Sequence, residues 1–187
     1  MNFNKHSNLE GRHAFLSPSN YYWVNYDDAK LERTLQNYGA RFRGERLHAL
    51  AKECIELGIK LPRTKATLNA YVNDAIGYRM TPEQVLYFSD NCFGTADAIS
   101  FRNNHLRIHD LKTGQTPASW VQLELYQAIF CLEYKLDPEK IRSELRIYQF
   151  DDVHVLTPDP KDIRILMDKI MDFDVKIEKL RGVGLSG

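Results

Sequence analysis

Between residues 77 and 84 the hydrophobic repeat changes from helical to alternating, and it stays alternating as far as residue 112. Upstream, Phe42, Leu47, Leu50, Ala51, Cys54, Ile55 and Leu57 recur at helical spacing, with Gly58 as a stop. Downstream, 84–89, 92–101 and 106–112 read as strands, and Asp90-Asn91 and Asn103-Asn104 as the turns between them. Three strands joined by tight turns form a meander. One face of such a sheet needs a cover, and flanking helical segments can supply it.

Those segments lie at 27–37, 41–58 and 64–77, the last starting at Thr64 and ending near Gly77. A fourth helix opens at Pro117-Ala118 and runs to about Lys135, apolar along Trp120, Leu123, Tyr126, Gln127 and Phe130. Residues 144–150 and 153–156 alternate like a hairpin. A charged amphipathic helix from 160 to 180 follows, and 182–187 reads as a frayed tail. Residues 1–26 are polar and aromatic, with Ser17-Pro18-Ser19-Asn20 resembling a turn before Tyr21-Tyr22-Trp23. The expectation is an α/β fold, a mixed central sheet flanked by helices. It is read as one domain over 1–187: a helical part at 1–80, a core at 81–157 and a closing helix at 158–182.

Composition narrows the class without naming the chemistry. With 43% hydrophobic and 27% charged residues, the chain is not a disordered one. Its formal net charge is zero, but residues 1–65 hold 11 Lys/Arg against 7 Asp/Glu, a mild excess that phosphates could meet. Cys54, Cys92 and Cys131 are widely spaced and form no CxxC pair, so a zinc ribbon or an iron–sulfur cluster has no support. No apolar run reaches the roughly 20 residues of a membrane-spanning helix, and the first residues lack a signal-peptide core. A cytoplasmic protein, with no membrane contact, is expected.

The chemistry concentrates in Gly94-Thr95-Ala96-Asp97 and in His109-Asp110-Leu111-Lys112-Thr113-Gly114. Asp97 lies inside one strand and Asp110 near the end of the next, where neighbouring strands can bring both carboxylates to one place. Asp110 and Lys112 are two apart and project from the same face, while Leu111 points into the core with its carbonyl near the carboxylates. Two carboxylates, a carbonyl and water suit Mg²⁺ or Mn²⁺. Such a cation acidifies a bound water and polarises a phosphoryl oxygen, and a neighbouring lysine can orient the water or offset charge on the phosphate.

The stretch from Gly94 to Tyr126 resembles the core of the PD-(D/E)XK nuclease superfamily, in its RecB-like exonuclease branch. That branch has a strand with a metal-binding Asp, a strand ending in Asp-x-Lys-Thr/Ser-Gly and a helix with Gln-x-x-x-Tyr. Here Asp97, Asp110 with Lys112 and Thr113-Gly114, and Gln122 with Tyr126 match in order. The resemblance implies a restriction-endonuclease-like core, with Gln122 and Tyr126 bordering the active site and holding the substrate strand. It also implies an upstream Gly-x-x-x-His whose His completes the metal shell, matched by Gly44 and His48. Leu16-Ser17-Pro18-Ser19 is similar to the entry segment of CRISPR-associated adaptation nucleases and related phage enzymes. Their four clustering cysteines are missing here, so no iron–sulfur cluster is expected.

The function so implied is an Mg²⁺- or Mn²⁺-dependent deoxyribonuclease, an exonuclease by resemblance, serving DNA replication, recombination or repair. Its substrate would be duplex ends or single-stranded DNA, and a homo-oligomer or a recombination partner protein would fit. The rivals are an inactive nuclease-fold module that binds DNA or protein, and a site-selective endonuclease of the same fold. Arg43 and Arg46, with Arg41 and Lys52, could contact phosphates from the His48 helix. Tyr21, Tyr22 and Trp23 could stack on unpaired bases. Glu83 reads as a surface glutamate after Thr81-Pro82, His109 as facing away from Asp110, and Glu124 as facing solvent.

Overall fold

The computed structural model describes residues 14–16 and 18–184, apart from the side chains of residues 19–21 and 182–184. Ser17 of the expected turn, the Tyr21 side chain and residues 185–187 of the expected tail therefore lie outside the described residues. The chain divides into two compact units, Met1–Arg43 and Gly44–Gly187.

The second unit carries a five-stranded mixed sheet in the order β1 (Thr81–Ser89), β2 (Cys92–Arg102), β3 (His105–Leu111), β4 (Arg142–Gln149), β5 (Asp152–Leu156). β1, β2 and β3 form the antiparallel meander, β3 and β4 run parallel, and β4 and β5 make an antiparallel hairpin. The parallel step needs a crossover, which α3 (Val121–Glu133) provides. α3 and α4 (Pro160–Gly184) cover a core built from Leu86, Ile99, Leu106, Ile108, Leu145 and Ile147. On a second core, Tyr71, Val72 and Ala75 of α2 (Thr67–Gly77) and Ala51, Cys54 and Ile55 of α1 (Asp28–Leu57) pack with Ala98, Leu111 and Tyr148.

Several boundaries differ from the expected ones. Residues 27–37 and 41–58 form one helix, because Tyr38-Gly39-Ala40 contains no proline and a single glycine costs only about 1 kcal/mol inside a helix. Asp27 caps it, its carboxylate accepting from the Lys30 N–H at 2.7 Å. α2 starts at Thr67 instead of Thr64, whose hydroxyl is engaged by the Ala66 N–H and the Asn69 amide. Its first turn is held by Asp151, from the β4–β5 turn, which accepts from the Thr67 hydroxyl at 3.2 Å while the Asp151 N–H donates back at 2.8 Å. α3 starts at Val121, after the expected opening at Pro117-Ala118, and the Ala118 N–H donates to the Gln149 side chain at 3.0 Å. α4 continues to Gly184, through part of the expected tail.

The Asn103-Asn104 turn has both residues left-handed, with φ of 51° and 57°, the hairpin geometry that asparagine tolerates. The other turn of the meander brings an irregularity. Ser89 pairs with Cys92 but Tyr87 pairs with Phe93, so Phe88 is an extra residue in β1.

In the first unit, Phe15 packs edge-on against Tyr38 with ring centres 5.5 Å apart. Both line a cavity of about 330 Å³ with Trp23 and Tyr26. Trp23 is half-buried there, so it serves that small cluster, whereas Tyr22 is exposed. No helix among the described residues is long and apolar enough to cross a membrane.

Candidate metal centre

Three neighbouring strands bring three carboxylates abreast. The β2–β3 pairing runs to Ala98 and His109, and beyond it the Leu111 N–H donates to Asp97 Oδ2, which sets Asp97 beside the end of β3 that carries Asp110. Gln84 pairs with Ala96 and Pro82 with Ala98, which places Glu83 beside Asp97 on the other side. The row is irregular. Glu83 has a left-handed φ of 49°, and Ala96 and Ile99 pack into the same core although they are three apart. Strict alternation would send them to opposite faces, so the pleat slips by one residue within this row. Left-handed backbone at a non-glycine residue costs of order 1–3 kcal/mol and tends to gather at functional sites.

His48 of α1 reaches the same place. One ligand atom each from His48, Glu83 and Asp97 lie within 4.8 Å of one another, and the His48 Nδ1 is 3.5 Å from Asp97 Oδ2. Gly44, one turn earlier, lets α1 come this close: a Cβ there would stand 2.7 Å from the Thr113 hydroxyl, just after Lys112. The Gly-x-x-x-His spacing thus has a physical content. The glycine admits the strand end and the histidine, four residues on, lies on the same helix face.

Asp110 is 2% exposed and held on one side by Lys112. The Lys112 ammonium donates to Oδ1 at 3.1 Å and stands 3.0 Å from Oδ2, which is buried and receives no hydrogen bond among the described residues. Lys112 also donates to the Gln122 side-chain oxygen at 2.8 Å, and the Gln122 amide donates to the Tyr126 hydroxyl at 3.2 Å. Asp110, Lys112, Gln122 and Tyr126 therefore form one hydrogen-bonded line from the end of β3 along α3. Gly94 makes room for it, because a Cβ there would come within 3.0 Å of the Tyr126 ring.

Leu111 is buried, and its N–H donates to Asp97 Oδ2 at 2.9 Å. In a strand the N–H and C=O of one residue face the same neighbour, so the Leu111 carbonyl looks to the Asp97 side. The electrostatics follow from crowding. Burial and the Asp110 charge push the Asp97 carboxyl up to about 6, against the opposing pull of His48 and the Leu111 N–H. Burial also raises the Asp110 carboxyl, which Lys112 pulls back.

No protein-family model, curated protein or solved structure matches this chain. The chemistry of the site therefore rests on its own geometry.

That geometry brings His48, Asp97, Asp110, Lys112, Gln122 and Tyr126 into one region and adds Glu83, which does not behave as a plain surface glutamate. It leaves others out. Arg46 is exposed and sits two residues from His48, about 200° round the helix. Arg43 is exposed, and Lys52 pairs with Glu56 at 3.9 Å. His109 is buried on the far face with its Nδ1 3.1 Å from the Tyr148 hydroxyl, and burial holds it down to about 3. Glu124, expected in solvent, is half-buried. Cys54 and Cys131 are buried, Cys92 is half-buried, and all three are free thiols.

The donor set fits a hard divalent cation. Two carboxylates and an imidazole, those of Glu83, Asp97 and His48, converge, and the buried Asp110 carboxylate, paired with Lys112, follows at the end of β3. Oxygen-rich sites with one imidazole suit Mn²⁺ or Mg²⁺.

Proposed function

We propose that this protein is an Mg²⁺- or Mn²⁺-dependent deoxyribonuclease with a restriction-endonuclease-like core of the PD-(D/E)XK kind. The observation that carries the reading is the row Glu83–Asp97–Asp110, with Lys112 on Asp110 and His48 closing the row from α1. The sheet order supports it as well, an antiparallel meander followed by a helical crossover to a parallel strand.

His48, Glu83, Asp97, Asp110 and the Leu111 carbonyl are the groups that would hold the cation. A cation held there supplies Lewis-acid polarisation of a phosphoryl oxygen and a more acidic water. Lys112 does two things from one position: it neutralises Asp110, and it presents an N–H donor to the water or phosphate oxygen that arrives there. Gln122 fixes the lysine rotamer, and Tyr126 fixes Gln122, so the ammonium is oriented before substrate binds. The half-buried Tyr126 hydroxyl and the exposed Gln122 amide are also placed to contact a backbone phosphate. DNA replication, recombination or repair is the setting this activity suits.

The test is incubation of linear and closed circular DNA with Mn²⁺, with and without EDTA, using the protein and its Asp110→Asn and Lys112→Ala variants. Metal-dependent loss of linear DNA that both substitutions abolish is the expected result. Degradation by either variant at the wild-type rate would falsify the reading, and nicking of circular DNA would mark an endonuclease.

A further inference from the structure

At the opposite end of the same strands lies a cavity of about 300 Å³ lined by Arg79, Arg102, Arg107 and Arg142, with His105 and Asn103. Among the described residues no carboxylate lines it. The chain as a whole has as many acidic as basic side chains, so four guanidinium groups round one hollow are a local concentration of charge. Mutual repulsion disfavours such a cluster, and the Glu144 carboxylate beside Arg107 is one negative charge against four positive ones.

Two of the arginines are held ready. Arg107 lies over the Tyr78 ring at 4.5 Å, with Arg146 on the same ring at 5.0 Å. The Glu144 carboxylate stands 3.5 Å from the Arg107 Nε, yet that buried Nε makes no hydrogen bond, and Glu144 is also engaged by Arg146 at 2.9 Å. Arg142 is tied to the hairpin turn, its side chain donating to the Asn103 carbonyl at 3.5 Å and its N–H to the Asn104 carbonyl at 2.9 Å. The side chains of Arg79 and Arg102 are exposed and make no hydrogen bond or ion pair among the described residues.

Arg79 completes the rim of the cavity. It follows the end of α2 in a left-handed conformation with φ of 53°, where its N–H and that of Met80 close the helix on Ile76 and Ala75. Glycine is the usual residue there. Lys135 takes the same left-handed position after α3, with φ of 54°, so the conformation is a way this chain ends a helix, and here it leaves Arg79 at the cavity rim. The helix dipole favours a cation in the last turn, but it does not ask for one at the left-handed position.

We propose that this cavity binds a phosphate group, free or in a nucleic-acid backbone, without a metal, and that it lies about 17 Å along the strands from the carboxylate row. Arg102 and Arg142 would grip the phosphate oxygens in their forked geometry while Arg107 supplies a fixed charge behind them. The proposal does not depend on nuclease activity, since none of these residues belongs to the carboxylate row.

The experiment is calorimetric titration of the full chain with inorganic pyrophosphate in EDTA, repeated with the Arg102→Ala/Arg142→Ala double variant and with the lysine pair at the same positions. Both positions are exposed, and circular dichroism checks the fold. Saturable binding weakened about tenfold or more in the alanine pair, and only partly restored by lysine, is the expected outcome. A second arm measures anisotropy of a short labelled single strand under the same conditions. A parallel loss there identifies a backbone phosphate as the occupant, and an unchanged oligonucleotide affinity identifies a free phosphoanion. Absence of saturable pyrophosphate binding, or binding equal in wild type and alanine pair, overturns the proposal. The Asp110→Asn variant should bind pyrophosphate as wild type does, which separates this result from the fate of the nuclease reading.

Discussion

The Lys112 ammonium donates to the Gln122 side-chain oxygen at 2.8 Å while it also holds the buried carboxylate of Asp110. A lysine side chain has four rotatable bonds and is expensive to fix by a single contact. Two partners on different elements, one at the end of β3 and one on α3, give it one position. Gln122→Leu should therefore lower the rate of Mn²⁺-dependent DNA cleavage by about 10-fold, with a smaller effect on KM, while Lys112→Ala lowers it by about 100-fold or more. Equal kcat for wild type and Gln122→Leu would remove the orienting role.

Glu83 offers a separate test of the row. Its Gln variant should weaken Mn²⁺ binding about 10-fold, measured by electron paramagnetic resonance of free Mn²⁺, with Asp97→Asn weakening it more. A surface glutamate would shift the affinity by no more than about twofold.

Stability should vary with pH in an unusual direction. The Asp97 carboxyl sits at about 6 when folded, against about 4 in an unfolded chain. Between those values the folded state holds more protons than the unfolded one, so this group's contribution falls as pH rises. In EDTA the protein should lose roughly 1–3 kcal/mol of stability from this source between about pH 4 and pH 7. Asp97→Asn should flatten that part of the profile, and Mn²⁺ should raise Tm near pH 7 in wild type only. Denaturant midpoints across the range decide it.

Gly44→Ala should cost about 1–3 kcal/mol, because the new methyl meets the Thr113 hydroxyl at a distance no real contact tolerates. Thr113→Ala should relieve much of that loss. A double-mutant cycle read by urea unfolding tests the contact directly, and additivity of the two changes would deny it.

Gln149 is buried and knits the segment after Lys112, donating to the Gly114 and Thr116 carbonyls at 2.9 and 2.8 Å and accepting from Ala118. Gln149→Leu leaves three backbone groups without partners and should destabilise by about 2–5 kcal/mol. Hydrogen exchange at Ala118 should accelerate well beyond that of β3.

The facing of Asp97 and Asp110 was legible in the chain. The Asn103-Asn104 turn is a two-residue hairpin signal, and the register it sets, as far as Ala98 with His109, leads Asp97 to the end of β3 that carries Asp110. Asp110 and Lys112 follow from a period of two, and Gln122 and Tyr126 from a period of four. Local chemistry decides such things because turns and pleats act over a few residues. Helix starts were less legible: the partner that holds the first turn of α2 is Asp151, 84 residues away.

Glu83 shows where local reading stops. Counted outward from Asp90-Asn91, the residue opposite Asp97 is Gln84, and only the extra Phe88 shifts the register to bring Glu83 there instead. Nothing in Tyr87-Phe88-Ser89 announces that shift. It goes with Leu86 buried and Phe88 packed on the core beneath α3 and α4, while Tyr87 lies exposed. The sequence by itself determined the paired aspartates, their lysine and the meander that carries them. The third carboxylate and the approach of His48 were decided by packing, because a one-residue slip or a missing Cβ is settled by what lies across the core.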